Sequence, residues 1–546
     1  MKKIFCDTNY INIIFSCLLS LFSIIYPYYY KYYYFKFNFY QIPLFLLFSI
    51  LFLLIGILLR KIIIKLKETK FTFFYKDNNK KNIILFFIII LISWMPILIS
   101  LYPGSFSNDT WGQLNQYHFF KMGEQLYDHH PVFDTLVFGT IIESLANITG
   151  NWHISMFIYV ILQAILTSFV FSYSLVYAKE KLKLNDKFII IFLILYCIIP
   201  LFPLIIHTIN KDSLFSWIYI LFYINYIEII RTNGKSLNKK NLLFLIITAI
   251  FSILTKKVGI YVILISLIIL LIPKINNKKK ILLSILIISI IMFIFKPILF
   301  NIYSIRPGGK QEKYSLMFQQ TANYLIHHSN DVTKEEEEVL QIVLGNLYYV
   351  KKVYNPIYAD PVKGFHQKAP NNMYQKYLLV WLKQGFRHPD SYINAYNCMA
   401  SGWFSFEKIN IILNMNHHTQ LNPKIIDESV AKRDWSYSLS EVVKIYYNKL
   451  SEIPIISILV SPILYILYIP IFTLSINIKY NWKEKYFLAL IPVCLSIILG
   501  CLLSPTIALS KEGSRYLYPI IYSSIILLMW GAYSINNKKG GIENDN

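Results

Sequence analysis

The feature that most constrains the fold of this chain is a series of apolar runs, each about long enough to cross a bilayer. The first three cover residues 10–26, 40–59 and 83–101. A membrane-spanning helix needs about 20 predominantly apolar residues, and soluble domains rarely contain several such stretches. With 55% hydrophobic residues and a mean hydropathy of +0.47, the chain is predicted to be an all-α polytopic membrane protein.

Basic residues between the runs predict the orientation of the chain. The formal net charge is +23, and the lysines and arginines concentrate in short loops such as 60–81, 231–240 and 274–280. Cytoplasmic loops carry an excess of such residues, so the charge is attributed to membrane orientation rather than to binding of nucleic acid. We predict about twelve spanning helices, with both termini cytoplasmic.

The twelve runs divide the chain into three regions. Region 1–303 holds helices one to nine, with Pro27 ending the first helix and an outer loop at 102–151. Region 304–453 contains no run long enough to span and is predicted to be a large, mostly helical extracytoplasmic domain, with amphipathic stretches at 332–347 and 372–384. Region 454–546 holds helices ten to twelve and a cytoplasmic tail. The predicted runs are 10–26, 40–59, 83–101, 152–177, 188–206, 213–230, 242–255, 260–272, 281–303, 454–476, 487–503 and 517–535.

The first outer loop opens with a carboxylate directly beyond the third run. Asp109 follows a Gly- and Ser-containing turn, and Gln113 lies one helical turn later. A carboxylate held at this depth could accept a proton from a hydroxyl group or ligate a metal ion. The alternative is structural, because an Asn-Asp pair before Thr110 also suits the N-cap of a helix.

A second polar group in the same loop is the sequence Asp128-His129-His130-Pro131. Because proline restricts the residue before it, these side chains are predicted to lie on a fixed turn. They could bind phosphate, bind a metal ion or relay protons. Adjacent histidines point in different directions on most backbones, which disfavours a metal site built from this pair alone. The alternative is a polar turn that caps the next segment.

Three cations are predicted to face the same side of the membrane. Lys211, next to Asp212, lies between the fifth and sixth runs and could neutralise a phosphate leaving group. Arg515, next to Tyr516, precedes the last run and has the planar fork that suits phosphate oxygens. Lys256 is a weaker candidate on the same side. The alternatives are a Lys/Asp helix cap and an arginine that snorkels to the interface.

These motifs resemble a family. The pattern Tyr102-Pro-Gly-x-x-x-x-Asp109-x-x-x-Gln113, the Asp128–Pro131 turn, Lys211-Asp212 and the Arg515-Tyr-x-x-Pro519 element are similar to those of the GT-C superfamily of membrane glycosyltransferases. They resemble most a bacterial, mostly Gram-positive branch of it. Segments 319–322, 354–356 and 360–363 in the large outer domain also fit that branch.

The resemblance implies a glycosyltransferase that moves a sugar from a polyprenyl-phosphate donor to a cell-envelope glycan or lipid at the outer face of the cell membrane. It implies that Asp109 is the catalytic or metal-associated acid and that Arg515 binds the donor phosphate. By their own charge and predicted position, Lys211 and Lys256 would bind this phosphate as well. His129 and His130 would position donor or acceptor. Asp109 lacks the second acidic residue that many superfamily members show, which favours a single base over a divalent metal ion, although a metal stays an open alternative.

Two other functions share these features. A flippase or transporter of lipid-linked glycans would place charged residues in the middle of spanning helices. Lys296, beside Pro297, is the main such residue in this sequence, and the polar residues lie mostly at one membrane edge, which favours an enzyme. An envelope-glycan polymerase or ligase would use the same lipid-linked substrate, and the sequence separates it poorly from a glycosyltransferase.

Overall fold

The computed structural model describes residues 10–68, 73–74, 78–309, 311–364, 369–411, 434–481, 485–503 and 513–537, which are mostly helical. Eight helices among these residues are long and apolar enough to cross a membrane. The prediction of an all-α membrane protein is therefore confirmed. The predicted cytoplasmic tail after residue 537, parts of the predicted basic loop 60–81 and residues 412–433 of the predicted outer domain lie outside the described residues.

The elements are numbered here in chain order. The strands are β1 (Ser105–Phe106), β2 (Tyr127–Asp128), β3 (Thr208–Ile209) and β4 (Arg306–Pro307). The α-helices are α1 (Tyr10–Tyr32), α2 (Gln41–Glu68), α3 (Asn79–Ser100), α4 (Asn108–Lys121), α5 (Val132–Thr149), α6 (Trp152–Glu180), α7 (Asp186–Ile198), α8 (Leu201–Ile206), α9 (Lys211–Arg231), α10 (Lys239–Thr255), α11 (Gly259–Ile269), α12 (Lys278–Ile290), α13 (Lys296–Ile302), α14 (Gln311–His327), α15 (Lys334–Leu344), α16 (Leu347–Val353), α17 (Asp360–Gly364), α18 (Asn371–Arg387), α19 (Pro389–Ala400), α20 (Asp434–Glu452), α21 (Ile456–Leu459), α22 (Ile469–Asn481), α23 (Ile491–Leu495) and α24 (Tyr518–Asn536).

Short 3₁₀ and π segments extend several of these helices. A π segment joins α12 to α13, so that Lys278–Ile302 is one continuous candidate span. The 3₁₀ segments are Ser329–Asp331, Ser401–Phe404, Tyr486–Leu490 and Gly513–Leu517, and the π segments are Ile291–Phe295, Leu464–Tyr468 and Ser496–Leu502.

The helices differ in four places from the predicted runs. Pro27 lies inside α1, which continues to Tyr32, so the prediction that this proline ends the first helix was wrong. Helix α5 forms an 18-residue candidate span within the predicted loop 102–151. Predicted run 188–206 is interrupted at Pro200, where α7 gives way to the short helix α8, and α11 has only 11 residues.

Two pairs of very short parallel strands connect distant parts of the chain. In the first pair, Ser105 lies opposite Thr208 and Phe106 opposite Ile209. In the second pair, Tyr127 lies opposite Arg306 and Asp128 opposite Pro307. Because α4 follows β1 and α9 follows β3 within two residues, the first pair sets the N-termini of these two helices side by side.

The buried apolar residues form two cores. The larger core joins α3 to α12 and α22 to α24, and it includes Trp403, Phe404 and Tyr447 from the predicted outer domain. The smaller core lies within residues 311–400, here called the insert, and contains Phe318, Leu340, Val343, Val350, Tyr377 and others. The predicted amphipathic helices correspond to α15 and α18, each of which buries one face there. The insert therefore has an apolar interior of its own.

Candidate functional site

The site is built on the two helix starts that the β1–β3 pair brings together. Ser107 is the N-cap of α4 and Asn210 is the N-cap of α9, each through its side-chain oxygen. Asp109 therefore lies in the first turn of α4, and Asp212 in the first turn of α9, where the helix dipole favours carboxylates. The hydroxyl of Thr110 donates to the carbonyl of Ile209 and fastens the two starts to each other.

The approach of the two strands depends on a glycine. Gly104 has a φ of +119°, and a Cβ atom there would lie 3.1 Å from the carbonyl oxygen of His207. The backbone of Ser105 donates to that same oxygen (3.0 Å), and the Ser105 hydroxyl lies 2.8 Å from Nε2 of His207. A side chain at position 104 would combine an unfavourable φ with a close backbone contact, and would move α4 away from α9.

Asp109 is held by two cations from distant parts of the chain. Its Oδ2 lies 2.7 Å from Nζ of Lys211 and 2.7 Å from Nη2 of Arg515. Nζ of Lys211 also donates to Nδ1 of His130 at 3.0 Å, and that nitrogen lies 3.6 Å from the Asp109 carboxylate. The side chains involved are at most 19% exposed, so these charges meet where water screens them little.

Arg515 connects this ion pair to a second one. Its Nε lies 3.3 Å from Oδ2 of Asp212, a side chain with no exposed surface. Oδ1 of Asp212 is 2.7 Å from Nζ of Lys256. The Lys256 ammonium also lies over the rings of Phe215 (5.4 Å) and Tyr516 (5.2 Å). Two carboxylates thus share three cations, and one guanidinium contacts both carboxylates.

The Asp128–Pro131 turn forms the rim of this cluster. Oδ2 of Asp128 lies 3.2 Å from Nζ of Lys257, and the same ammonium donates to the Asp128 carbonyl. The ring of His129 stacks on Tyr127 at 6.0 Å between centroids. The two imidazoles stand at 73° to each other, and His130 contacts Lys211 and Asp109. Different orientations were predicted for this pair.

Burial and charge act on the pKa values of two groups here. Burial would raise the pKa of Asp109, but the charges of Lys211 and Arg515 hold it well below its usual value. Burial, followed by the charge of Lys211, lowers the pKa of His130 to about 3. At neutral pH Asp109 is therefore ionised and His130 is neutral. Because Nδ1 of His130 accepts from Lys211, its proton lies on Nε2.

Six of the ten predicted site residues lie in one network of ion pairs and hydrogen bonds: Asp109, His130, Lys211, Asp212, Lys256 and Arg515. Tyr516 contributes its ring, while Asp128 and His129 lie at the rim. Gln113 is buried and donates to the hydroxyl of Thr135 at 2.9 Å, one turn along α4 from Asp109.

The structure shows which residues cap these helices, and this tests the alternative in which the carboxylates are helix caps. Ser107 and not Asp109 caps α4, and Asn210 and not Asp212 caps α9. Pro131 is the N-cap of α5, which has no side-chain capping bond. The carboxylates of Asp109, Asp128 and Asp212 are therefore not used to cap these helices.

One carboxylate near the cluster was not among the predicted site residues. Asp134, in the first turn of α5, has no exposed surface, and its oxygens have no hydrogen-bond partner within the described residues. It interacts electrostatically with Lys211 and Asp212. The sequence gives little indication that Asp134 belongs to the site, since it is a single acidic residue at the start of an apolar helix.

The ligand preference of the cluster follows from its charges. Asp109 and Asp212 are each already bound by two cations, and a divalent metal ion between them would be repelled by all three. The residues present do not fit a metal ion at this position. Lys211, Lys256 and Arg515 instead suit an anion with several oxygens, such as a phosphate.

The fold and the site define an integral membrane protein, all-α, with a largely buried cluster of ion pairs at the junction of several helix starts. A family model described as "Family of unknown function (DUF6020)" matches residues 121–543, and the chain belongs to that family. Comparisons with curated proteins and with solved structures give no match. The matched region includes His130, Lys211, Lys256 and Arg515, whereas Asp109 precedes it.

Proposed function

We propose that this protein is an integral-membrane glycosyltransferase that moves a sugar from a polyprenyl-phosphate donor to a cell-envelope glycan or lipid. The observation that carries the proposal is the pairing of Asp109 with both Lys211 and Arg515 (2.7 Å each) in a site that is largely closed to solvent. A carboxylate and a phosphate bind to the same donors. The cluster therefore has cations for a donor phosphate and a carboxylate for proton transfer in one place.

Binding of the donor would exchange one anion for another. The phosphate takes the place of Asp109 as the partner of Lys211 and Arg515. Asp109 then loses the two charges that hold down its pKa, and it becomes a better proton acceptor. An acceptor hydroxyl hydrogen-bonded to Asp109 would become a stronger nucleophile as a result.

The transfer step follows from this arrangement. The acceptor oxygen forms a bond to the anomeric carbon while the bond from that carbon to the phosphate oxygen breaks, which inverts the anomeric centre. The hydroxyl proton goes to Asp109, and the polyprenyl phosphate leaves with the electron pair. Lys211 and Arg515 stabilise the charge that develops on the departing phosphate, with Lys256 supporting from the Asp212 side.

The histidines have different parts in this proposal. His130 is neutral and carries its proton on Nε2, so it can donate to a sugar hydroxyl or a phosphate oxygen without adding positive charge. His129 stacks on Tyr127 at the rim, where flat rings suit the apolar face of a sugar. Lys257, which is 43% exposed, lies at the same rim and would meet the donor or acceptor as it arrives.

An apolar cavity next to the cluster suits the polyprenyl chain. It has a volume of about 480 Å³ and lies between α5, α6, α9 and α10. Phe133 is two residues beyond Pro131, and Leu214 is two residues beyond Asp212, so the cavity begins within one helical turn of the cluster. Its lining includes Phe133, Val137, Tyr159, Leu166, Leu214, Trp217, Ile218 and Phe251.

The proposal includes the predicted membrane arrangement. About twelve helices span the cell membrane with both termini in the cytoplasm, the cluster faces the outer side, and region 304–453 is extracytoplasmic. The basic loops between predicted runs support this orientation. Seven of the eight candidate spans, together with the shorter apolar helices Gly259–Ile269 and Tyr486–Leu502, coincide with predicted runs. Helix α5 is not one of the twelve runs and belongs to the outer loop in this arrangement.

The test is sugar transfer by the purified chain in nanodiscs. Radiolabelled polyprenyl-phosphate sugars and envelope acceptors are supplied to the wild type and to Asp109→Asn. Loss of the base is expected to lower the transfer rate by about 10²- to 10⁴-fold. The matched control is Asp360→Asn, since Asp360 also lies in the first turn of a helix and pairs with a lysine, Lys363, at 2.7 Å.

Three results would contradict the proposal or the role of Asp109. Absence of transfer by the wild type with every donor would exclude the reaction. Wild-type transfer by a normally folded Asp109→Asn protein would leave the reaction but remove Asp109 from the role of base. Equal losses in Asp109→Asn and Asp360→Asn would show that the substitution acts through general stability.

A further inference from the structure

A second group of titratable side chains lies in the insert, apart from the cluster around Asp109. His328, Asp331 and His388 each offer one potential ligand atom, and these atoms lie within 4.8 Å of one another. His328 directly follows α14, Asp331 ends the 3₁₀ segment Ser329–Asp331, and His388 lies between α18 and α19. The group therefore links the end of one helix to the corner between two others.

The side chains are already close to a ligand arrangement. Nε2 of His388 lies 2.8 Å from Oδ2 of Asp331. The rings of His328 and His388 stack face to face, parallel within 9° and with centroids 3.7 Å apart, so one imidazole turns about its side-chain bonds before both ring nitrogens bind one ion. Oδ2 of Asp390 lies 3.9 Å from Nε2 of His328 and provides a further carboxylate at the edge. Two imidazoles and one or two carboxylates thus lie close enough to bind one ion after this rotation.

A set of hydrogen bonds fixes the backbone that carries these ligands. Arg387, next to His388, donates to the carbonyl of Asp331, to the hydroxyl of Tyr324 (3.1 Å) and to the carboxylate of Glu336 (2.9 Å). The Asp331 amide donates to the carbonyl of His328 at 3.1 Å. Outer groups that fix the ligand-bearing segments are a regular feature of metal sites.

We propose that His328, Asp331 and His388 bind a Zn²⁺ ion that fastens the insert. Imidazole nitrogen and carboxylate oxygen are ligands that zinc prefers, at about 2.0–2.2 Å in a tetrahedral arrangement. Asp390 or a water molecule completes the fourth position. On binding, the hydrogen bond between His388 and Asp331 is exchanged for two bonds to the metal, and any proton on an imidazole is released.

The ligand side chains are partly exposed, so an ion can enter the site. Their places in the fold define the role of the site. The side chains of His328, His388 and Asp331 are 22%, 26% and 48% exposed, so an ion can reach them from solvent. The ligands come from three separate elements, and binding free energy becomes stability of the folded insert. This role is independent of sugar transfer, because the ligands are separate from the Asp109 cluster.

The experiment measures zinc retention and stability of the full chain in nanodiscs. The protein is stripped with EDTA, loaded with Zn²⁺ or Co²⁺ and washed, and bound metal is measured together with the Co²⁺ absorption spectrum and the thermal unfolding temperature. The wild type is expected to retain one more equivalent of zinc than His388→Ala or His328→Ala. Affinity in these variants should fall more than about 100-fold, beyond the range typical of outer-shell changes.

The matched control is His327→Ala, which removes an exposed imidazole one residue away and is expected to keep the zinc and the unfolding temperature. Asp331→Asn preserves the shape of the side chain and tests the same ligand set if a histidine variant folds poorly. Equal zinc content in the wild type and in folded His388→Ala protein would overturn the proposal. So would retention of Mg²⁺ but not Zn²⁺, since Mg²⁺ prefers oxygen ligands.

Discussion

The Asp109 cluster and the Glu336 network both contain a carboxylate that is largely buried, but they are built differently. Glu336 accepts from the backbone of Thr333 (3.4 Å), from Gln384 (3.3 Å) and from both terminal nitrogens of Arg387 (2.9 and 3.3 Å). All these partners lie in or beside α15 and α18, which pack against each other in the insert. Asp109 instead pairs with Lys211, 102 residues away, and with Arg515 near the end of the chain.

The different construction of the two networks indicates that a buried carboxylate has a different role in each. Glu336 completes a capping box with Thr333 and is bound by neutral donors and one guanidinium, so the network stabilises a helix start and a helix pair. In the Asp109 cluster, two carboxylates share three cations that come from three helix starts or loops. Buried ion pairs contribute little net stability against apolar packing, and groups with shifted pKa values collect at functional sites. The cluster is therefore better explained by ligand binding than by stability.

The largest effect is expected at Arg515. Arg515→Gln should lower sugar transfer by about 10³-fold, because it removes a donor that stabilises charge on the leaving phosphate. The fold should be retained, since Asp109 keeps Lys211 and Asp212 keeps Lys256. Arg515→Lys should recover only part of the rate, because one ammonium cannot reproduce contacts to both carboxylates at 2.7 and 3.3 Å. The measurements are transfer in nanodiscs and thermal unfolding.

Arg515→Gln protein that transfers sugar at the wild-type rate would remove the phosphate-binding role. A loss of activity that follows an equal loss of folded protein would show that Arg515 acts on stability, as Arg387 is expected to do. Arg515 and Arg387 would then have the same role, and the proposed difference between the two networks would be wrong.

At Arg387 we expect the opposite result, a loss of stability without a loss of sugar transfer. Arg387→Gln leaves the carboxylate of Glu336, only 5% exposed, without its cation. Breaking a buried pair costs about 3–5 kcal/mol, and because the Arg387 side chain is 35% exposed we expect a smaller loss, about 2 kcal/mol. The measurement is the unfolding free energy in EDTA, so that bound metal makes no contribution. Transfer measured well below the unfolding temperature should be unchanged, and a loss of transfer without a loss of stability would contradict this assignment.

Part of the fold and of the site could be predicted from the sequence. Apolar runs alone predict the class of protein, because a bilayer demands them. Asp109, Lys211 and Arg515 could be singled out because they are charged residues at the ends of apolar runs. The N-cap residue could not be assigned, since Ser107, Asn108 and Asp109 all have side chains that cap helices. The choice depends on the backbone that β1 imposes.

The remaining features depend on contacts between distant segments. Strands of two residues have no periodicity, so nothing in the sequence indicates that β1 pairs with β3 or that Asp109 meets Lys211. Helix α5 falls within the predicted outer loop 102–151. Its acidic residues Asp134 and Glu143 are buried, and Glu143 pairs with Lys121 of α4 at 2.6 Å, a contact between separate segments. Pro27 remains within α1, whereas the sequence rule treats proline as a helix end.

The smallest effect, a pH-dependent one, is expected at His130. Burial and the charge of Lys211 lower the pKa of this imidazole to about 3 in the folded chain, against about 6.5 when unfolded. Below pH 6.5 the unfolded chain binds a proton that the folded chain does not, so stability falls as the pH drops, by up to about 1.4 kcal/mol per pH unit. Asp109 adds little slope above about pH 5, because an unfolded aspartate is ionised there and the pKa of folded Asp109 is held well below the usual value.

The measurement is the unfolding free energy of wild type and His130→Gln between pH 7.5 and 4.5. Other ionisable groups titrate equally in both proteins, so the difference between the two curves isolates His130. The wild type should lose about 1 kcal/mol more than the variant between pH 6.5 and 5.5, and His327→Gln, at an exposed position, should follow the wild type. Parallel curves for wild type and His130→Gln would mean that the folded cluster accepts an imidazolium. His130 would then add a fourth positive charge beside the phosphate site, and its assignment as a neutral donor would be wrong.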